Sequence, residues 1–200
     1  NPRPFLFKKA SDETYLNTWS GYRWRRVEVS KFNVWGYLIP IFNHINYTWC
    51  DNEAEFDQVI QRLAKIFQAP WKRHGVAMVF GGPEGTGKSF VYEELIGPLI
   101  DIHYGFIQKV NDAIGDFNSM VENKSFLFVD EMKAETQQQM DQIKLILTSL
   151  EQRIHKKFVD CFTAESICNI VFATNRIDEI FQVATDGRRF EGYYSNTLAL

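Results

Sequence analysis

Gly82-Pro83-Glu84-Gly85-Thr86-Gly87-Lys88-Ser89 has the spacing Gly, four residues, Gly-Lys-Ser. That pattern is a P-loop, whose chemistry is the capture of a nucleoside triphosphate with a divalent metal. Backbone amides in such a loop and at the following helix start provide donors for phosphate oxygens. Pro83 has no amide hydrogen, so the donors run from Gly85 through Ser89. Gly85 and Gly87 allow positive φ and close backbone approach. Lys88 is the point charge for the β- and γ-phosphates, and the Ser89 hydroxyl is a ligand for Mg²⁺. With Phe90, these residues make the expected site for ATP and Mg²⁺. An ordinary Gly-rich turn is the alternative. The context argues against it: Val76–Phe80 reads as a buried strand before the loop and Phe90–Ile96 as a helix after it, the arrangement this chemistry needs.

A second site is acidic. Ser125-Phe-Leu-Phe-Val-Asp130-Glu131 is an apolar run ending in two carboxylates, which reads as a Walker B strand. Asp130 would hold Mg²⁺, often through water, and Glu131 would polarise the attacking water. Without the upstream loop, a core strand ending in solvated acids would be the better reading. A third strand, Asn169–Thr174, runs into Asn175. An amide there can orient water against the γ-phosphate, or it can cap a helix over 176–181. Arg188 and Arg189 follow in Asp186-Gly187-Arg188-Arg189-Phe190. They are either a solvated charge cluster or an arginine finger for a neighbouring subunit's ATP site.

These elements in this order resemble a superfamily 3 helicase within the AAA+ ATPases, most closely the helicase module of phage, plasmid and poxvirus-type primase-helicases. Tyr15-Leu-Asn17-Thr-Trp19-Ser-Gly21, Gln68-Ala-Pro70, Gly115-Asp-Phe117-Asn118, Ile143-Lys-Leu-Ile-Leu-Thr148 and the arginine pair carry the resemblance. It covers nearly the whole chain. It implies ATP hydrolysis between subunits of a homo-oligomeric ring, a hexamer, drawn along single-stranded DNA, with a primase or polymerase fused or nearby. Gly187 stands between Asp186 and the arginines, so either Arg188 or Arg189 fills the finger role. The resemblance also implies a β-hairpin that grips DNA, here 151–160. Arg153, Lys156 and Lys157 would contact phosphates, and His155 and Phe158 would stack or pack against the strand. A solvated basic turn is the alternative.

Alternating strands and helices from Gly75 onward predict an α/β fold, a mostly parallel sheet flanked by helices; the resemblance makes it a P-loop NTPase of AAA+ type. Residues 1–70 are expected to form an accessory segment and 71–200 the ATPase core. The accessory segment comprises an extended lead-in over 1–10, a Trp-rich stretch with Arg23, Arg25 and Arg26, and an amphipathic helix from Asn52 to Gln68 ended by Pro70. The lead-in reads as the trace of a truncation from a longer protein. The small C-terminal helical part expected of such modules is short or missing.

The 200 residues are 45% hydrophobic and 24% charged, enough for one full core. A net charge of −3 disfavours a broad DNA-coating surface but not a small basic patch in a pore. Cys50, Cys161 and Cys168 make no zinc pattern. The odd, scattered cysteines suit a reducing compartment, and the apolar runs are far shorter than a membrane span. A cytoplasmic protein is expected. A replication initiator or helicase loader, a small-molecule kinase and a non-catalytic ATP-dependent assembly module are the rival functions.

Overall fold

Three apolar runs, Ala77–Gly81 (β3), Phe126–Glu131 (β5) and Asn169–Thr174 (β8), lie side by side as the centre of a five-stranded parallel sheet in the computed structural model. The structure describes residues 6–8, 15–17, 21–22, 34–115, 118–132, 136–177 and 187–195. The sheet order is β4-β5-β8-β3-β9, with Tyr104–Lys109 as β4 and Phe190–Tyr194 as β9. All four pairings are parallel. β3 and β8 are buried along their whole length, which is why they read as continuous apolar runs rather than alternating ones.

Successive side chains of a strand point to opposite faces, and the core divides accordingly. Ala77, Val79, Leu127, Val129, Ile170 and Phe172 face one layer, with Met140, Ile143 and Leu147 of helix α6 (Gln137–Thr148). Met78, Phe80, Phe126, Phe128, Val171 and Ala173 face the other. There they meet Ile45 and Trp49 of α1 (Val34–Trp49), and Val59, Leu63 and Ile66 of α2 (Glu53–Gln68). Residues on both sides of position 70 therefore share one hydrophobic layer.

Helix ends follow local chemistry. Asn52 caps α2 by accepting the Glu55 amide at 3.0 Å, while the Glu55 carboxylate reaches the Asp51 amide at 2.9 Å. Thr136 and Gln139 form a reciprocal capping box for α6. The helix after the Gly-rich loop starts as α3 (Lys88–Phe90), widens into a π-helical stretch over Val91–Ile96 and closes as α4 (Gly97–Ile100). A short α5 (Asn111–Ile114) and a 3₁₀ turn (Ser119–Val121) connect β4 to β5. β1 (Leu6–Lys8) and β2 (Tyr15–Asn17) pair antiparallel.

The expected hairpin is present as β6 (Glu151–Lys156) and β7 (Val159–Glu165). Its second arm runs five residues beyond the expected end at Asp160. Trp19, Trp24, Phe117, Asp186 and the expected helix beyond Ile177 lie outside the described residues.

Candidate functional site

The carboxyl ends of β3, β5 and β8 lie on one side of the sheet, the place where open α/β sheets bind ligands. β3 runs into the Gly-rich loop, β5 ends in Asp130 and Glu131, and β8 is followed by Asn175. Around them is a cavity of about 490 Å³ lined by residues 84–90, Asp130, Glu131 and Asn175. Three segments far apart in sequence thus meet at one concavity.

Gly85 and Gly87 adopt φ of 80° and 77°, the left-handed conformation expected of them. Gly87 is constrained a second way. A Cβ there would lie 2.6 Å from the His44 ring, so α1 presses directly on the loop. The same ring packs edge-on against Phe90, with centroids 6.2 Å apart. His44 had no signal in the sequence, because no motif links α1 to the loop.

Lys88 is buried, and its ammonium donates to the carbonyls of Gly82 at 2.8 Å and Pro83 at 2.5 Å. Burial pushes its pKa down, against the pull of Asp130 and Glu84. The Ser89 hydroxyl donates to Asp130 Oδ1 at 2.5 Å. Two hard oxygen donors are therefore adjacent. This suits Mg²⁺, which takes one or two protein oxygens and fills its octahedron with water and phosphate. Among the described residues no group of three His, Cys, Asp or Glu side chains could form a closed metal cage.

The Thr174 hydroxyl accepts the Arg176 amide at 3.1 Å and donates to the Met132 carbonyl at 3.2 Å. The Asn175 amide donates to Glu84 Oε1 across the cavity mouth, at 3.3 Å.

Arg188 and Arg189 are not brought to this cavity. Phe190, just after them, pairs with Ala77 at the start of β3, whereas the loop leaves β3 at Gly81, opposite Tyr194. The arginines sit at the far end of the sheet, roughly 13–17 Å away along the strand direction at the usual rise per residue.

On the hairpin, Lys157 and Phe158 form the turn. Phe158 has φ of 62° and a fully exposed ring. Lys156 is paired with Glu122 at 2.5 Å and lies over the Phe162 ring at 5.4 Å. Arg153 reaches back to the Cys161 sulfur, Nη2 at 2.8 Å. The five expected DNA-contacting residues thus divide into a projecting tip and an internally engaged shaft.

Residues 79–189 match a family described as a family of unknown function, DUF5906. The chain belongs to the DUF5906 family. The matched DUF5906 segment contains the loop, both carboxylates, the hairpin, Asn175 and both arginines. No curated protein matches the sequence. Among solved structures, this DUF5906 chain is similar to the apo C-terminal region of NrS-1, with a TM-score of 0.66 and 23% identity over 80% of this chain and 38% of that one. It is also similar to the A form of the same region, with a TM-score of 0.64 and 22% identity over 80% and 37%. The chain thus spans less than two-fifths of those structures, and at such identities the likeness is one of fold. No helix among the described residues is long and apolar enough to cross a membrane.

Proposed function

We propose that this chain is the ATPase motor of a superfamily 3 helicase, of the AAA+ class, acting on single-stranded DNA as a ring of identical subunits in replication. The observation that carries the reading is the convergence of Lys88, Ser89, Asp130, Glu131 and Asn175 on one cavity at the carboxyl ends of three adjacent parallel strands. The placing of the arginine pair away from its own cavity supports a role in a neighbour's site.

In this mechanism triphosphate oxygens replace the Gly82 and Pro83 carbonyls as partners of the Lys88 ammonium. Ser89 and Asp130 would hold Mg²⁺, which neutralises phosphate charge when bound. Glu131 accepts a proton from the attacking water while the Asn175 amide, released from Glu84, orients that water against the γ-phosphate. Arg188 or Arg189 of the next subunit stabilises the charge that develops on the transferred group. The hairpin tip holds the DNA backbone and moves with turnover.

The test is ATP hydrolysis with and without single-stranded DNA, over a range of protein concentrations. Stimulation by DNA that rises with protein concentration is expected. Lys88→Ala should abolish it, and Glu131→Gln should retain ATP binding but lose about 10²-fold or more in turnover. Hydrolysis by Glu131→Gln at the wild-type rate would remove that residue from the mechanism. DNA-stimulated hydrolysis without duplex unwinding would favour an initiator or loader.

A further inference from the structure

An isolated two-stranded hairpin is marginally stable in water, so β6 and β7 need anchors on the body of the protein. Most of β7 is exposed, with Ala164 packed against the core, so β6 supplies most of them. Two anchors lie at its root. Ile154 is buried in the core, and Gln152 donates from its side chain to the Ile146 carbonyl at 3.2 Å.

The third anchor is closer to the tip and comes from outside the hairpin. The Asn118 carboxamide donates to the Arg153 carbonyl at 2.9 Å and accepts the His155 amide at 2.9 Å. These two backbone groups flank Ile154, and they are the pair that a neighbouring parallel strand would engage. Asn118 therefore acts as a one-residue strand on the free edge of β6. The pairing of β6 with β7 is irregular between Ile154 and Lys156, at this same point. The turn that begins at Asn118 also supplies Glu122, the partner of Lys156, although a partly exposed ion pair of this kind contributes little by itself. The turn leads directly into β5, whose far end carries Asp130 and Glu131.

We propose that Asn118 is a positioning residue that sets the angle of the hairpin and couples it to β5; the coupling rests on reading the hairpin as the nucleic-acid grip of an ATPase. Asparagine is required because the contact needs a donor and an acceptor side by side. Aspartate keeps the acceptor for His155 but sets a second oxygen against the Arg153 carbonyl.

The test compares wild type, Asn118→Ala and Asn118→Asp by hydrogen exchange and by ATP turnover with single-stranded DNA. In Asn118→Ala, the His155 amide and its hairpin neighbours should exchange about tenfold faster or more, the size expected for two lost hydrogen bonds. Amides of β3 and β5 should be unchanged. Basal turnover and KM for ATP should hold, while the DNA concentration for half-maximal stimulation rises about tenfold. Asn118→Asp should fall between. Unchanged hairpin exchange overturns the inference. Faster exchange with wild-type DNA stimulation reduces Asn118 to a structural part and also overturns it. Wild-type turnover that ignores DNA overturns the underlying reading of the hairpin instead, whereas faster exchange in Asn118→Ala would still uphold the anchor.

Discussion

His74 stands just before the first central strand, and its surroundings make it reluctant to accept a proton. Burial, reinforced by Arg62 and Lys65, brings its pKa from 6.5 down to about 4. The unfolded chain takes up a proton near pH 6.5 that the folded chain refuses until about pH 4. Acidification through that window therefore favours unfolding. The stability contributed by the neutral ring is fully present above pH 6.5 and is lost as the pH falls toward 4. Its slope is at most about 1.4 kcal/mol per pH unit, less after screening of a partly exposed ring. Urea midpoints measured across this range should fall for the wild type and flatten in His74→Gln. At this scale the Gly-rich loop, Asp130, Glu131 and Asn175 were legible because each is a short pattern at a strand end. The partners Glu84–Asn175, Glu122–Lys156 and Asn118–His155 were not. Nothing local encodes a contact between side chains that only the tertiary fold brings together.

The elements depend on tethers of the same long-range kind. The Arg73 guanidinium donates to the carbonyls of Ile146 and Ser149 at the end of α6, and to Ser166 at 3.4 Å before β8 begins. A cation at a helix carboxyl end is favourable, and hydrogen bonds from a charged donor are among the stronger ones. Arg73→Met should lower unfolding stability by about 2–4 kcal/mol, read as a shift in urea midpoint at constant slope. The strands β3, β5 and β8 and helix α2 were legible from apolar runs and helical spacing, and the hairpin from the family resemblance, with ends displaced by a few residues; β1, β2 and the edge strand β9 were not. Nor was helix α1. It holds Pro40 in its interior, and Trp35, Tyr37 and Ile39 are exposed, so neither the absence of proline nor an amphipathic stripe marked it. The π-helical stretch was equally hidden, since it is a change of hydrogen-bond register rather than of residue pattern.

For the whole molecule, strand register bears on the role of the arginine pair, which composition left open. With β9 parallel to β3, the arginine pair and the loop occupy opposite ends of the sheet, and under the proposed function the arginines serve the site of a second copy of the chain. Mixing Lys88→Ala with an Arg188→Ala/Arg189→Ala double variant, each inactive alone, should restore part of the turnover. About a quarter of the sites in an equal mixture would be complete if subunits exchange at random, since only wild-type loops facing wild-type arginines work. No recovery on mixing would remove the arginines from the neighbour's site. The contact of α1 with the loop has a spectroscopic consequence. Trp49 is fully buried, stacks on Tyr92 at 5.4 Å with the rings 3° from parallel, and touches the His44 ring that leans on Gly87. Its indole is shielded from aqueous quenchers and emits to the blue of the exposed Trp35 and Trp71. Any ligand that shifts the loop changes the packing around this one fluorophore. Under the proposed function, Trp49 emission is therefore expected to report ATP binding at the loop.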